Sequence, residues 1–220
     1  MNLPLINIIT RTSNRPNYFK NCYESVKNQT YKNINYIVGY DTEETYKYLS
    51  GLEINNIVKL KYISPTEIPI LPGLPNPAPY NLYFNELLKY TKEGFVIYLD
   101  DDNKFLINNA IEIIVNTIKT EDDLILSRTK FPNKLIPDTQ YWEMYKKGHG
   151  PIKCQIDTAC FYHNTKYNKD AKWTEYSLGD YRCSLLLHKV IPNKRFIDQP
   201  LITLQRSVAG GHGRRDDLLK

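Results

Sequence analysis

Over the first 126 residues, apolar positions fall in short blocks separated by polar turns. Residues 5–10 form an apolar run that ends in polar side chains, the pattern of a buried strand. A turn follows. Pro16 then suits the first position of a helix in which Phe19, Cys22, Tyr23 and Val26 recur at helical spacing. Residues 35–40 predict a second strand ending at Asp41, residues 42–49 a short helix stopped by Gly51, and residues 57–63 a third strand. Between 65 and 79, Pro65, Pro69, Pro72, Pro75, Pro77 and Pro79 exclude helix and central strand. A loop of that length either borders a site or serves as a rigid surface connection.

Residues 80–92 predict the next helix, with Leu82, Phe84, Leu87 and Leu88 as core positions. Residues 95–99 predict a fourth strand and residues 107–118 another helix. This alternation predicts an α/β fold, an open, mixed, mostly parallel sheet with helices on both faces. Beyond residue 126 the pattern weakens. A strand is expected at 124–127, an irregular aromatic stretch at 128–153, a strand within 154–163, a helix at 181–190 and a strand at 196–204. Residues 206–220, rich in Gly, Arg and Asp, read as a mobile tail.

The chain has 220 residues, which fits one domain (1–220) made of a first half (1–126), a second half (127–205) and the tail. A mean hydropathy of -0.50 with 41% hydrophobic residues is that of a soluble globular protein. The net charge of +5 comes without a Lys/Arg run, so no nucleic-acid partner is expected. Cys22, Cys154, Cys160 and Cys183 form no Cys-x-x-Cys pair or zinc set, which reads as reduced thiols. No run approaches the roughly 20 apolar residues that span a bilayer, and the N-terminus lacks a basic leader. A cytoplasmic location is the expectation.

The chemistry concentrates where the fourth strand ends, in Phe95-Val96-Ile97-Tyr98-Leu99-Asp100-Asp101-Asp102-Asn103. In open α/β sheets ligands bind at the carboxyl ends of strands. Three adjacent carboxylates invite a hard divalent cation, Mn²⁺ or Mg²⁺. If the strand continues through the triplet, Asp100 and Asp102 point one way and Asp101 the other. Asp102 then reaches the metal, and Asp100 is directed at the ribose or a metal-bound water.

An acidic Asp-x-Asp signature after such a strand resembles that of GT-A glycosyltransferases, and the chain is similar to their family 2 branch. Ile8-Ile9-Thr10-Arg11-Thr12 with Arg15-Pro16 resembles the family's first strand and nucleotide loop, and residues 34–41 its second strand. Tyr80-Asn81 with Asn85 resembles its Arg-Asn-x-Gly segment, with Tyr80 in place of the Arg. The likeness covers about the first half of the chain. It implies a GT-A, Rossmann-like fold and a nucleotide-sugar donor, UDP-sugar foremost. Thr10, Arg11, Thr12, Arg15, Asp41, Tyr80, Asn81, Asn85, Asp100 and Asp101 would face that donor, Asp41 at the base.

The resemblance further implies inversion, with a glycan or protein hydroxyl as acceptor. Asp180 in Leu178-Gly179-Asp180 matches the position of the family's general base, although Gly179 stands where an acid is common; Glu175 is the reserve. A helix cap is the competing role for Asp180. His212 would be a further metal ligand, with Arg214 and Arg215 on the phosphates; His149 is a weaker candidate. Asp157 is expected to border the acceptor cleft, and Tyr141, Trp142 and Trp173 either stack on sugars or fill the core. Two other readings share the motif: a sugar nucleotidyltransferase, whose Gly-rich phosphate loop is missing here, and a non-catalytic nucleotide-sugar or glycan-binding module. A two-metal nuclease sits poorly with the weak basic character.

Overall fold

The computed structural model describes residues 3–205. Strands β1 (Ile6–Thr12), β2 (Ile34–Tyr40), β3 (Asn56–Lys59) and β4 (Phe95–Tyr98) form a parallel block in the order β3-β2-β1-β4. Helices α1 (Pro16–Lys27), α2 (Glu43–Leu49) and α3 (Leu82–Leu87) lie in its connections. The remaining elements are β5 (Asn103–Phe105), α4 (Ala110–Thr117), β6 (Asp123–Phe131), β7 (Lys134–Ile136), α5 (Thr139–Lys146), β8 (Phe161–Asn164), α6 (Gly179–Val190) and β9 (Asn193–Leu204). They extend the same sheet from β4 as β8-β6-β9-β5, with β7 on β6, so the described residues share one mixed sheet. Both β8 pairings are antiparallel, while β9 runs parallel to β6.

Both faces of the sheet are covered, which is why its first strands read as continuous apolar runs. Ile6 and Ile8 of β1 pack with Phe19, Cys22 and Val26 of α1 and with Ile111 and Ile114 of α4. Ile9 points the other way, into Phe84 and Leu87 of α3 and Cys183 and Leu187 of α6. Each such buried side chain contributes about 1.5–3 kcal/mol relative to exposure. The close approach of α3 to β2 depends on Gly39, where a Cβ would lie 2.5 Å from Leu60 and 2.9 Å from Leu87.

The structure departs from the sequence pattern in both halves. Residues 128–153 are ordered: β6 continues to Phe131, β7 returns as a hairpin, and α5 starts on Asp138, whose side chain accepts from the Tyr141 amide. Strand β6 runs beyond the expected 124–127 with buried positions that are polar: Ser127, bonded to the Tyr162 hydroxyl, and Thr129, bonded to Cys160. Strand β5 has three residues and exists through its ladder to β9. The helix expected at 80–92 is a single α-helical stretch flanked by two one-turn 3-10 segments. Trp142 and Trp173 are core residues, not exposed stacking surfaces. The indole N–H of Trp142 donates to Asp198 at 2.7 Å, and Trp173 packs among Phe84, Tyr98 and Phe161.

Among the described residues all four cysteines are free, with Cys154 exposed and the others buried. No described helix is long and apolar enough to cross a membrane.

Candidate functional site

The parallel register brings the carboxyl ends of β1, β2 and β4 to one edge: Thr12 is level with Tyr40, and Ile9 with Tyr98. Arg11, Asp41 and the acidic triplet therefore meet there. Strand β4 ends at Tyr98, and the triplet lies in a turn closed by the Asn103 amide donating to the Asp100 carbonyl at 2.8 Å. The alternation expected of a continuing strand is absent for that reason. Asp101 and Asp102 reach the same guanidinium, with Arg15 Nη1 at 2.6 Å from Asp101 Oδ1 and 3.1 Å from Asp102 Oδ2. All three side chains are buried. Burial pushes Asp101 up to about 7 against the pull of Arg15. Burial acts to lower the Arg15 pKa, but the three neighbouring carboxylates raise it overall.

Asp100 is the more open carboxylate. Its Oδ1 accepts from Arg11 Nε at 2.7 Å, and its side chain keeps 18% exposure. Arg11 Nη1 also donates to the Tyr80 carbonyl at 2.8 Å and Asn81 Oδ1 at 3.1 Å, and the guanidinium lies over the Tyr80 and Phe84 rings. Arg11 thus points to the α3 face. Thr10 and Thr12 point to the opposite face, as alternation along β1 requires. Thr10 is fully buried and its hydroxyl accepts from the Tyr36 hydroxyl, so its side chain faces the core. Thr12 shares a hydrogen bond with Tyr48 and is also buried.

Asp41 follows β2. Its Oδ2 accepts from Tyr83 at 3.0 Å, while its Oδ1 is buried without a hydrogen-bond partner among the described residues. An unpaired buried acceptor costs about 1–3 kcal/mol, so a ligand donor is its natural complement.

Asn81 and Asn85 act as clasps to the segment that leads into α6. Asn81 Nδ2 donates to the Tyr176 carbonyl at 2.8 Å, and Asn85 exchanges hydrogen bonds with the backbone of Trp173. The proline-rich loop joins this clasp. The Ala78 amide donates to the Glu175 carbonyl at 2.6 Å, and the Tyr176 hydroxyl donates to the Pro69 carbonyl at 3.2 Å. Helix α6 starts after Leu178, held in a left-handed conformation at φ 65. Asp180 is inside the first turn, not the N-cap, and its Oδ1 accepts from the Tyr181 amide at 2.7 Å. Burial pushes Asp180 up to about 6, opposed by that amide, while the charge of Asp100 adds to the rise. Gly179 is required by the packing, since a Cβ there would sit 2.6 Å from Asn81 Nδ2; an acid does not fit. The Glu175 charge acts on Arg182, whose guanidinium donates to Thr174 and the Tyr176 carbonyl.

Asp157 belongs to the same edge. Its Oδ1 accepts from the Ala159 amide, and burial and then the charge of Asp180 push it up to about 8. The sequence marks it as an acid bordering the acceptor side; that it neighbours Asp180 comes from the antiparallel entry of β8. His149 is exposed past α5. His212, Arg214 and Arg215 lie outside the described residues. Gln205, the last described residue, is fixed on the triplet by its amide donating to the Asp102 carbonyl at 2.7 Å. Among the described residues, no three His, Cys, Asp or Glu side chains stand together as a ready metal-ligand set.

No family model matches the chain, and no curated protein matches it in sequence. Solved structures do. S. aureus TarS matches with TM-score 0.67 at 14% identity, over 92% of this chain and 37% of that one. TarS 1–349 in complex with UDP-GlcNAc matches with TM-score 0.68 at 15% identity, over 94% of this chain and 60% of that one. TarS 1–349 in complex with UDP matches with TM-score 0.66 at 14% identity. The chain therefore spans less than two thirds of each of these proteins. The helix-covered sheet, with its acidic turn after β4, is the GT-A fold.

Proposed function

We propose that the chain is a glycosyltransferase that moves a sugar from a UDP-sugar to a hydroxyl acceptor with inversion. The observation that carries this reading is that one sheet edge holds both a buried, unpaired Asp41 oxygen and the Asp180 carboxyl, which burial pushes up to about 6. The first suits the N3–H of uracil. The second suits a general base, whose useful pKa lies near the operating pH. TarS, with the same fold, has been crystallised with UDP-GlcNAc and with UDP.

In the reaction, the acceptor oxygen bonds to the anomeric carbon as that carbon's bond to the β-phosphate oxygen breaks. Asp180 takes the acceptor proton, and UDP leaves with the bonding pair. Arg11 holds Asp100 and, through Asn81, the segment that carries Asp180, so donor side and base are positioned by one guanidinium.

The triplet's oxygens suit Mn²⁺ or Mg²⁺ in kind. Asp100 offers an accessible carboxylate, and Asp102 would exchange Arg15 for the ion. A bound ion would supply charge neutralisation for the departing diphosphate.

UDP release from UDP-GlcNAc and other UDP-sugars, with Mn²⁺, Mg²⁺ or EDTA, tests the reading. Metal-dependent release that Asp180→Asn removes without changing UDP affinity supports it. Binding of UDP with no release from any sugar points to a binding module instead.

A further inference from the structure

We propose that Gln205 is a positioning residue of the donor side: its side chain fixes the backbone of the acidic turn and so sets how Asp100 is presented to the donor's diphosphate. This rests on the transferase reading above and deepens it.

The ladder between β5 and β9 pairs Asn103 with Leu204, and because the two strands are antiparallel the next level pairs Asp102 with Gln205. The Gln205 amide continues that ladder onto the Asp102 carbonyl at 2.7 Å. Ending a strand there needs only a backbone N–H, which every residue but proline supplies. The side chain does more. Its Nε2 donates to the Asp101 carbonyl at 3.4 Å and the Asn103 carbonyl at 3.3 Å, on either side of the residue that its amide holds. The same Nε2 reaches the Tyr18 carbonyl in the first turn of α1 at 3.2 Å. Its Oε1 accepts from Asn21 Nδ2, three residues further along α1, at 2.9 Å. The Asn21 contact fixes which way the amide faces. The opposite orientation would set its oxygen against three carbonyls and its N–H groups against those of Asn21.

The acidic turn is therefore held from two sides, and both holds lead to α1. Arg15, just before α1, takes the Asp101 and Asp102 carboxylates. Gln205, tied to α1 through Tyr18 and Asn21, takes the carbonyls of residues 101–103. Asp100 opens this turn. Its carbonyl accepts the Asn103 amide at 2.8 Å, and its carboxylate meets Arg11 and keeps 18% exposure. The direction of the most open carboxylate is thus set by backbone that Gln205 holds. A ligand-facing group works only when the shell behind it is fixed, and a misplacement of about 1 Å costs binding or rate.

Gln205→Met tests this, because it keeps the length and neutrality of the side chain and removes its N–H groups. Asn21→Ala, at an exposed contact, is the milder variant and removes only the group that orients the amide. Two readouts need no turnover. In hydrogen exchange, the Asn103 amide should exchange about 10-fold faster in Gln205→Met, while the amides of β1 and β2 exchange as in wild type. In calorimetric titration with Mn²⁺ present, UDP affinity should fall about 10-fold in Gln205→Met and about 3-fold in Asn21→Ala, while uridine affinity stays within about 2-fold. Uridine carries the base without phosphates, so it reports on Asp41 and not on the turn. Equal loss of uridine and UDP, unchanged UDP affinity, or unchanged exchange at Asn103 each overturns the positioning role and leaves the transferase reading intact. If the wild-type chain binds neither nucleotide while Asn103 exchange still responds to Gln205→Met, the transferase reading fails and takes the donor role with it, whereas the hold on the turn stands.

Discussion

Asp101 and Asp102 occupy one side of the cleft, and Asp157 and Asp180 the other. The first pair shares a guanidinium, buried with them, at 2.6 and 3.1 Å. In the second pair no guanidinium is shared: Asp157 faces Asp180, Asp100 and Asp102, whereas Asp180 faces Asp100, Arg11 and Arg182. Acids of one type, within one edge of one sheet, thus differ in what balances their charge. Where a cation is built in, the acid fixes structure: the Arg15 contact ties the start of α1 to the turn after β4. Burial raises Asp101 to about 7 even beside Arg15, as it raises Asp157 to about 8 and Asp180 to about 6, so the two sides differ in the shared guanidinium and not in the direction of the shift.

Removing the built-in cation should have the largest effect. Arg15→Met leaves two buried carboxylates uncompensated, and breaking a buried pair in this way costs about 3–5 kcal/mol. The denaturant midpoint should drop accordingly, and Arg15→Lys should recover part of the loss. A midpoint within error of wild type would mean that the triplet does not depend on Arg15, and the contrast between the two sides would collapse.

The opposite sign is expected across the cleft. The native pKa of Asp157, about 8, lies above the ordinary 3.8, so the folded state binds its proton more tightly than the unfolded chain. Its contribution to stability is therefore full below pH 4 and declines as pH rises, until the penalty is complete above about 8. Asp157→Asn removes that pH dependence. Relative to wild type it should be neutral near pH 4 and more stable by about 2 kcal/mol near pH 9, after allowance for solvent access. Asp180→Asn has the same sign with a narrower window, closing near 6. Thermal melts across pH measure both. A variant that is less stable than wild type at pH 9 would place Asp157 with the structural acids.

The difference in chemistry parallels a difference in legibility. The parallel block could be read from sequence because β1, β2 and β4 are buried on both faces and so are mostly apolar, broken only by the buried and hydrogen-bonded Asn7 and Asn35 ahead of their polar ends. The acidic turn after β4 could be read because three consecutive carboxylates have few structural uses. Arg15 as their partner could not be read, since nothing in a linear pattern says that the residue before Pro16 folds back 86 positions onto Asp101. Strand β6 is expected from the pattern only at 124–127, and its continuation to Phe131 carries Thr129, which with Ser127 is buried and satisfied by hydrogen bonds that no hydrophobicity pattern records. Asp157 acquires meaning only from the antiparallel β4–β8 register, a long-range fact.

Gly179 links the two sides and offers a smaller perturbation. A Cβ added there would come within 2.6 Å of Asn81 Nδ2 and 3.3 Å of Trp173. Asn81 must then shift, and with it the hydrogen bonds to Arg11 and the Tyr176 carbonyl. Gly179→Ala should cost about 1–3 kcal/mol, the usual range for overpacking. Its turnover should fall while UDP affinity holds, because the disturbance lies between Arg11 and Asp180 and leaves Asp41 alone. Equal loss of both would mean that Asn81 supports the donor site as a whole.

The smallest stability change is expected at Asp41, with a sharp change in selectivity. Its Oδ2 is held by Tyr83 and its Oδ1 is buried and unpaired, so the site lacks one donor that uracil N3–H supplies. Asp41→Asn can keep the Tyr83 bond through its carbonyl oxygen, which turns the amide nitrogen toward the base. The fold should lose about 1 kcal/mol at most. UDP would then meet donor against donor, and its affinity should fall about 10-fold or more, in line with the loss of a charge-assisted hydrogen bond. CDP should gain relative to UDP, because cytosine N3 is an acceptor and matches the new amide. Calorimetric titration of the two nucleotides into wild type and Asp41→Asn gives the ratio directly. A UDP-to-CDP ratio that does not move would place the base away from Asp41. The unpaired oxygen would then belong with the structural acids on the Arg15 side of the cleft and not with the acids left open for a ligand.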